Sequence, residues 1–244
     1  MYLVEGQQKY DRLKKLYPEY ENKLSLVGFS KFDPIVALSK DDKSKIFQRY
    51  DIDPKKKTVL YAPTFFPSSI EKMADNFPLE FSQCNFLVKP HYLTYARERY
   101  KNQRKKLTIW SRYPNCKLIP VEEYDITPLL SIADIMISDE SSAMFEFAAL
   151  NKPVISNRFH KLRLSYYLMP WKLQHRIDVT KNLYRGMFYN AFNYNQTIAY
   201  AKEALQNPSI HAEKRLEYSK TICGEIDGDV SKRIYEALIR KLNV

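Results

Sequence analysis

The residues of this chain with the clearest chemical potential form the polar cluster Ser138–Ser142, which reads Ser-Asp-Glu-Ser-Ser. An apolar run, Ile135–Ile137, precedes the cluster, and a stretch rich in Ala, Met, Phe and Leu follows it. This order predicts a strand, a tight loop and a helix. Hydroxyls beside the free N–H groups of a helix N-terminus suit the binding of a phosphate. The structural alternative is that the aspartate and the serines only cap the helix.

Polar side chains also follow two other apolar runs. Thr64 comes soon after the predicted strand Thr58–Ala62, and Lys89 and His91 come directly after Phe86–Val88. A hydroxyl or a cation at the end of a buried strand is placed to face a cleft. A lone His is more often structural than catalytic, so these residues are informative mainly in combination with the polar cluster.

The polar cluster must be positioned by one βαβ unit. Asn151 suits the left-handed position that ends a helix, and Pro153 forbids further helix. A second apolar run begins at Val154. Strand and helix patterns alternate between residues 58 and 155, which predicts an α/β fold with a Rossmann-like, doubly wound parallel sheet. In such sheets, ligands bind beyond the carboxyl ends of the strands.

The flanking segments read as mainly helical. Residues 1–27 predict a helical lead-in and a first strand, and residues 28–244 predict the α/β domain with helices at its C-terminus. Ser39-Lys40-Asp41-Asp42 has the pattern of a capping box before a short helix. Helical patterns are also predicted near residues 69–74, 196–205, 212–223 and 230–241.

The composition indicates a globular protein with an anionic partner. The chain has 244 residues, 45% of them apolar, and a net charge of +11. Its three cysteines show no metal-binding spacing, and no apolar run is long enough to span a bilayer. The first residues lack the pattern of a signal peptide. We therefore expect a cytoplasmic protein without a metal site.

A basic and aromatic segment follows the βαβ unit. Residues 147–177 contain no acidic residue, and basic and aromatic side chains alternate between Arg158 and Arg176. This pattern indicates contact with an anionic membrane or a polyanion. A basic loop packed on the domain explains it equally well.

Five short motifs occur in the same order in a known family. They are Gly28-Phe-Ser-Lys31-Phe-Asp33, Tyr61-Ala-Pro-Thr64-Phe65, Lys89-Pro-His91, Ser138-Asp-Glu-Ser-Ser-Ala-Met-Phe-Glu146 and Asp227-Gly-Asp-Val-Ser-Lys-Arg233. Together they resemble the CDP-glycerol glycerophosphotransferases, the teichoic-acid polymerase and primase family. Ser30 and Tyr92 stand where the family usually has Pro.

The resemblance implies the C-terminal, nucleotide-binding half of a two-domain GT-B transferase, which transfers glycerol phosphate from CDP-glycerol and releases CMP. It implies no metal and no cofactor beyond this donor. Glu146, seven residues before Pro153, matches a glutamate that binds ribose. The implied catalytic residues are His91 and Lys89, and the implied donor-phosphate contacts are Ser141, Ser142, Asp139 and Thr64.

The same resemblance implies partners. They are an anionic polymer or lipid-linked acceptor, peripheral contact with the inner face of an anionic membrane, and an N-terminal domain that carries the acceptor base. Nucleic acid is not among them. Two alternatives stay open. One is a GT-B relative that uses a nucleotide-sugar, although such enzymes typically have Gly where Ser141 and Ser142 stand. The other is a nucleotide- or polyanion-binding module without turnover.

Overall fold

A computed structural model describes residues 1–139, 141–162 and 179–242. Most of the basic and aromatic segment between Arg158 and Arg176 lies outside the described residues, so its expected membrane contact stays a prediction. Within the described ranges, no helix has the length and apolar character needed to cross a bilayer.

The main sheet has six parallel strands in the order β5-β4-β3-β6-β7-β8 in the described part of the chain. Its strands are β3 (Thr58–Ala62), β4 (Asn85–Val88), β5 (Cys116–Leu118), β6 (Ile135–Ser138), β7 (Val154–Asn157) and β8 (Tyr189–Ala191). The chain runs outward from β3 to β5 and then returns to place β6 against the other side of β3. The strand order therefore reverses between β3 and β6, and this reversal opens a crevice at their carboxyl ends.

Helices cover both faces of this sheet. Those described are α1 (Gln7–Leu16), α2 (Asp33–Val36), α3 (Lys40–Arg49), α4 (Leu93–Ala96), α5 (Lys101–Trp110), α6 (Thr127–Ile132), α7 (Ser142–Ala149), α8 (Tyr194–Gln206), α9 (Ala212–Tyr218) and α10 (Val230–Leu242). Short 3₁₀ turns occupy Pro18–Lys23, Ser30–Phe32, Ile70–Lys72, Phe77–Phe81, Glu98–Tyr100 and Val179–Met187, and Ser219–Cys223 is a π-helical turn.

Alternate residues of β3, β4, β6 and β7 enter two separate hydrophobic cores. On β3, Leu60 joins a core that contains Phe147 of α7, whereas Val59 joins a core that contains Trp110 of α5. All five residues of β3 are buried. Because parallel strands covered on both faces need apolar side chains at every position, the unbroken apolar runs of the sequence become the central strands. The predicted doubly wound α/β fold is confirmed.

Local sequence signals set several helix ends. Ser39 and Asp42 form the predicted capping box at the start of α3. After α7, Asn151 takes a left-handed conformation with φ of 57°, and Pro153 follows at the entry to β7. The helix predicted near residues 69–74 is instead the 3₁₀ turn Ile70–Lys72. Ser69, just before this turn, donates its N–H to the Asp139 carboxylate.

The first 27 residues contain a two-stranded parallel sheet and a helix. Strands β1 (Tyr2–Val4) and β2 (Leu24–Leu26) pair in parallel with each other, and α1 connects them. Helix α1 packs on the π-helical turn Ser219–Cys223. Gly6 lies so close to the backbone of Ile222 that a side chain there would clash. The predicted helix and strand are present, whereas β1 and β8 were not predicted.

Lys152 provides a test of how β7 is attached to the rest of the sheet. Its ammonium donates hydrogen bonds of 2.8–2.9 Å to the carbonyls of Leu130, Ser131 and Ala133 at the end of α6. We expect Lys152→Met to lower the free energy of unfolding by about 2–3 kcal/mol, because three carbonyls lose a charged donor. Lys202→Met is the control, since Lys202 is half-exposed in its ion pair with Glu80, and it should cost less than about 1 kcal/mol. Urea denaturation measures both; equal effects would contradict the assignment.

Candidate active site

A cavity of about 280 Å³ opens at the carboxyl ends of β3 and β6, where the strand order reverses. Four of the five sequence motifs meet there. Its lining includes Lys31, Thr64, Lys89, His91, Ser141, Ser142 and Glu146. Six of the seven site residues predicted from the sequence therefore share one cavity, and Asp139 is the exception.

Ser141 caps α7, whereas Ser142 is free of this capping role; both hydroxyls lie at the cavity. Ser141 is the N-cap of α7, and its Oγ accepts a hydrogen bond of 3.1 Å from the Ala143 N–H. The Ser141 hydroxyl keeps its own O–H as a donor. Ser142 begins the helix and is exposed at the cavity. The helix N-terminus therefore presents two hydroxyls and backbone N–H groups to the same space, which favours an anion.

Asp139 lies beneath the cavity and not in it. Its side chain is fully buried, and its carboxylate accepts hydrogen bonds from the N–H groups of Thr64 (3.1 Å) and Ser69 (3.2 Å) and from the Ser68 hydroxyl (3.1 Å). Burial raises the pKa of this carboxyl, while the charge of His160 and the hydrogen bonds from Ser69 and Ser68 oppose the rise. The expected contact between Asp139 and a donor phosphate is therefore corrected: the carboxylate orients the loop after β3.

A buried polar network supports that loop from behind. The Tyr61 hydroxyl lies 2.9 Å from the Ser69 hydroxyl, which also accepts a hydrogen bond of 3.1 Å from the Asn157 amide. The Asn157 carbonyl in turn accepts one of 2.7 Å from Thr197 on α8. At the rim, the Thr64 hydroxyl donates to the Pro67 carbonyl. The loop that carries Thr64 is thus tied to β6, β7 and α8.

Lys89 supplies a partly buried cation to the cavity that α7 also lines. Its ammonium donates to the backbone carbonyl of Glu123. Burial lowers the pKa of Lys89, and the negative charges of Glu123 and Asp125 oppose this shift. The backbone contact fixes the position of the charge without neutralising it, because a carbonyl is only a dipole.

His91 is held by aromatic neighbours and one backbone contact. Its ring lies against Phe65, with 4.8 Å between centroids, and against Tyr92, with 4.7 Å. Its Nδ1 accepts a hydrogen bond of 3.2 Å from the Leu93 N–H. A neutral ring that accepts at Nδ1 carries its proton on Nε2, so Nε2 is the donor left for a ligand. Burial, and then the charge of Lys89, lower the pKa of His91.

Glu146 lies one helical turn beyond Ser142 and is paired with a residue that the sequence did not mark as part of the site. The ammonium of Lys31 lies 2.6 Å from Glu146 Oε2. Lys31 belongs to the motif Gly28–Asp33, which was recognised as a match to the family without a role in the site. Nothing in the sequence indicated this pair, because its two partners are 115 residues apart and meet only in the folded chain.

A second, larger cavity of about 720 Å³ adjoins the first. Ser142 and Glu146 line both cavities and form the wall between them. The second cavity is lined mainly by apolar side chains, among them Phe29, Phe145 and Tyr218, and helix α1 provides polar groups at its edge. The two spaces therefore differ in chemistry: the smaller suits an anion, and the larger suits a molecule with apolar surface.

Metal ligands are not grouped at this site. Among the described residues, no three His, Cys, Asp or Glu side chains are placed to hold a metal ion. Of the lining residues that the structure describes, the charged ones are Lys31 and Lys89, with ammonium groups, and Glu123 and Glu146, with carboxylates.

Comparison with known proteins gives one family and a set of related folds. A sequence model described as "CDP-Glycerol:Poly(glycerophosphate) glycerophosphotransferase" matches residues 2–240. The teichoic acid glycerol-phosphate primase of Bacillus subtilis (strain 168) is 30% identical over 155 residues, which cover 63% of this chain and 38% of that protein. The teichoic acid poly(glycerol phosphate) polymerase of Bacillus spizizenii is 25% identical over 206 residues, which cover 80% and 48%. The chain thus spans less than half the length of these curated relatives.

Two solved structures share the fold. A variant of the wall teichoic acid polymerase TagF soaked with CDPG has a TM-score of 0.69 at 20% identity, covering 99% of this chain and 57% of that one. The UDP-GlcNAc 2-epimerase of Neisseria meningitidis, bound to UDP-GlcNAc, has a TM-score of 0.59 at 16% identity, covering 94% and 59%. At these identities the likeness establishes the GT-B type of fold alone.

Asp139 gives the sharpest test of the loop that frames the cavity. We expect Asp139→Asn to lower the free energy of unfolding by about 2–4 kcal/mol, because an amide must turn its NH₂ toward backbone N–H donors. The variant should also bind inorganic pyrophosphate more weakly, since the loop that carries Thr64 loses its anchor.

Asp134→Asn is the matched control for this test. Asp134 accepts a hydrogen bond of 2.8 Å from Thr58 N–H at the opposite end of β3. It should reduce stability without changing pyrophosphate affinity. Differential scanning calorimetry and isothermal titration measure the two effects, and unchanged pyrophosphate affinity in a folded Asp139→Asn variant would contradict the role of the loop.

Proposed function

Because the chain belongs to the CDP-glycerol:poly(glycerophosphate) glycerophosphotransferase family, we propose that its smaller cavity binds CDP-glycerol and supports transfer of glycerol phosphate to an acceptor hydroxyl in wall-polymer synthesis. One observation carries the proposal: the N-terminus of α7, with Ser141 and Ser142, shares this cavity with Lys89 and His91 at the reversal point of the sheet. A pyrophosphate is the ligand group that matches both sides at once.

The dimensions of α7 support one orientation of the donor. The pyrophosphate lies at the Ser142 end, where N–H groups and hydroxyls converge. Glu146 is four residues further along the helix, or about 6 Å at 1.5 Å per residue. In this pose the ribose hydroxyls reach the Glu146 carboxylate, and the glycerol end of the donor points toward the wall shared with the larger cavity.

The chemistry proposed is phosphoryl transfer. The oxygen of an acceptor hydroxyl forms a bond to the β-phosphorus as the bond between this phosphorus and the CMP oxygen breaks. CMP leaves with that oxygen, and the hydroxyl proton passes to the acceptor base expected on the N-terminal domain. Such reactions depend on positioning and on stabilising the charge of the phosphoryl oxygens. The Lys89 ammonium, the His91 Nε2–H and the α7 N-terminus supply that stabilisation. Asp139 acts indirectly, by holding the loop that carries Thr64.

We place the acceptor in the larger cavity. Its wall contains Ser142 and Glu146, so an acceptor there lies beside the proposed donor. Apolar side chains such as Phe145 and Tyr218, with Lys9 and Arg12 at the edge, suit an acceptor that joins an anionic end to apolar material. A lipid-linked acceptor fits this combination, and the net charge of +11 supports work at the inner face of an anionic membrane.

Isothermal titration with CDP-glycerol, CMP and UDP-GlcNAc tests the donor. We expect CDP-glycerol and CMP to bind, and UDP-GlcNAc to bind at least about tenfold more weakly. Ser142→Ala should weaken CDP-glycerol binding by about 1.5–3 kcal/mol, through loss of a hydrogen bond to a charged group. Ser141→Ala should in addition lower the free energy of unfolding by about 1 kcal/mol through loss of the helix cap. Tight UDP-GlcNAc binding without CDP-glycerol binding would favour a nucleotide-sugar enzyme.

His91 predicts a proton linkage. Its pKa is lowered in the free protein, so the ring is largely neutral at pH 7, and a bound phosphate should raise the pKa again. CDP-glycerol binding should therefore take up a fraction of a proton, and affinity should increase as the pH falls from about 8 toward 6. The two phosphates of CDP-glycerol are both esterified and do not titrate in this range.

The uptake is measured by titration calorimetry in buffers of different ionisation enthalpy. His91→Gln should abolish it, whereas His211→Gln should not, although burial also lowers the pKa of His211. Uptake that persists in His91→Gln would show that another group is linked to the phosphate.

A further inference from the structure

Lys31 lies on a short turn that is fixed from both sides. The 3₁₀ turn Ser30–Phe32 presents Lys31 toward the smaller cavity, while Phe32 is buried in the core with 1% exposure. Before the turn, the Phe29 N–H donates a hydrogen bond of 3.0 Å to the Cys223 carbonyl. The backbone that carries Lys31 is therefore held against the C-terminal part of the chain.

Asp33 anchors the other side of this turn to α10. Its carboxylate accepts hydrogen bonds from the Ser231 N–H and the Ser231 hydroxyl, both of 2.7 Å, and from the Val230 N–H at 3.3 Å. It thus caps the N-terminus of α10 from a distance of 198 residues in sequence. Two motifs at opposite ends of the chain form one rigid platform under Lys31.

Gly28 and Arg233 complete the platform. Gly28 has a φ of +99°, and a side chain there would collide with Val230. The Arg233 guanidinium donates a hydrogen bond of 2.7 Å to the Val27 carbonyl and pairs with Asp227. Because the backbone around Lys31 is fixed at this many points, its ammonium reaches a defined place on the cavity wall.

That place is the carboxylate of Glu146. The ammonium lies 2.6 Å from Oε2, and the Glu146 side chain is only 16% exposed while that of Lys31 is 38% exposed. A partly desolvated ion pair with a charge-assisted hydrogen bond restricts the carboxylate more than an exposed pair does. With Oε2 engaged by Lys31, Oε1 is the oxygen left to accept from a ligand.

We propose that Lys31 is a positioning residue that makes the site selective for ribonucleotides. It holds Glu146 so that Oε1 accepts hydrogen bonds from the ribose hydroxyls, and it acts on the ligand through Glu146. The inference rests on the proposed function, because it requires a nucleoside diphosphate in the smaller cavity. Direct contact between Lys31 and a phosphate is the competing arrangement. It predicts that loss of Lys31 weakens binding equally with and without the sugar hydroxyls.

The test compares CDP with 2′,3′-dideoxy-CDP by isothermal titration. Wild-type protein should bind CDP at least about tenfold more tightly, as expected for loss of hydrogen bonds to a charged group. Lys31→Met should weaken CDP binding by about tenfold and leave the dideoxy compound nearly unchanged, so that discrimination falls below about threefold. Lys31→Arg should retain most of the discrimination, because a guanidinium can still pair with the carboxylate.

A double-mutant cycle separates positioning from direct contact. In a Glu146→Gln background, Lys31→Met should have no further effect on CDP binding, because both residues act on the same hydroxyls. Lys57→Met is the matched control: Lys57 pairs with Asp134 at 2.8 Å at the opposite end of the sheet, and its loss should change neither affinity. Thermal melts show whether each variant is folded.

Each outcome decides the proposal. An equal loss of affinity for CDP and dideoxy-CDP in Lys31→Met, retained in the Glu146→Gln background, would overturn it in favour of phosphate contact. Wild-type protein that binds both compounds equally would also overturn it, while leaving the donor pyrophosphate site intact. Failure of the wild type to bind CDP at all would instead reject the proposed function, and it appears in the first titration, before any variant is made.

Discussion

The pairing of β3 with β6 is the constraint on which the site depends. These strands lie side by side in parallel register, with Ala62 opposite Ser138. The Ser138 hydroxyl donates a hydrogen bond of 2.6 Å to the Ala62 carbonyl, and the next residue, Asp139, accepts from the loop after β3. The carboxyl ends of β3 and β6 are therefore joined by hydrogen bonds. A crevice forms because the chain leaves these two strands in opposite directions across the sheet.

Electrostatics then determines what the crevice can hold. The Asp139 carboxylate below it accepts hydrogen bonds from the loop, and Glu146 is paired with Lys31. Lys89 keeps its charge close to a backbone dipole, and the N-terminus of α7 adds a partial positive charge. An anion is therefore stabilised from two sides, although the buried network beneath contains a carboxylate. The lowered pKa of His91 also leaves its ring able to respond to a bound phosphate.

The ends of the chain contribute to the site through packing. The platform formed by Gly28–Asp33 and Asp227–Arg233 joins α10 to the turn that carries Lys31. Helix α1 packs beside it on Ser219–Cys223 and lines the larger cavity. The turn that carries Lys31 is therefore joined to α10 by hydrogen bonds and to Glu146 by one ion pair. The motifs Gly28–Asp33 and Asp227–Arg233 therefore contribute to the site by holding Lys31, although they do not contact Ser141 or His91.

The sequence by itself determined the sheet, the order of its elements and most of the site. Unbroken apolar runs such as Thr58–Ala62 indicate strands buried on both faces, and Asn151 with Pro153 indicates where α7 ends. Because parallel strands bring their carboxyl ends to one edge, Thr64, His91 and Ser141 were expected to meet. Strand β8 was missed, because it lies outside the alternating strand and helix pattern between residues 58 and 155.

Only the tertiary structure decided how individual polar groups are used. Ser141 and Asp139 look equally suited to capping and to phosphate binding in the sequence, but one caps α7 and the other is buried beneath the loop. Lys31 joined the site only when the chain brought it to Glu146. Local patterns report on neighbours along the chain, whereas the burial of a carboxylate and the partner of an ammonium depend on contacts between residues more than a hundred positions apart.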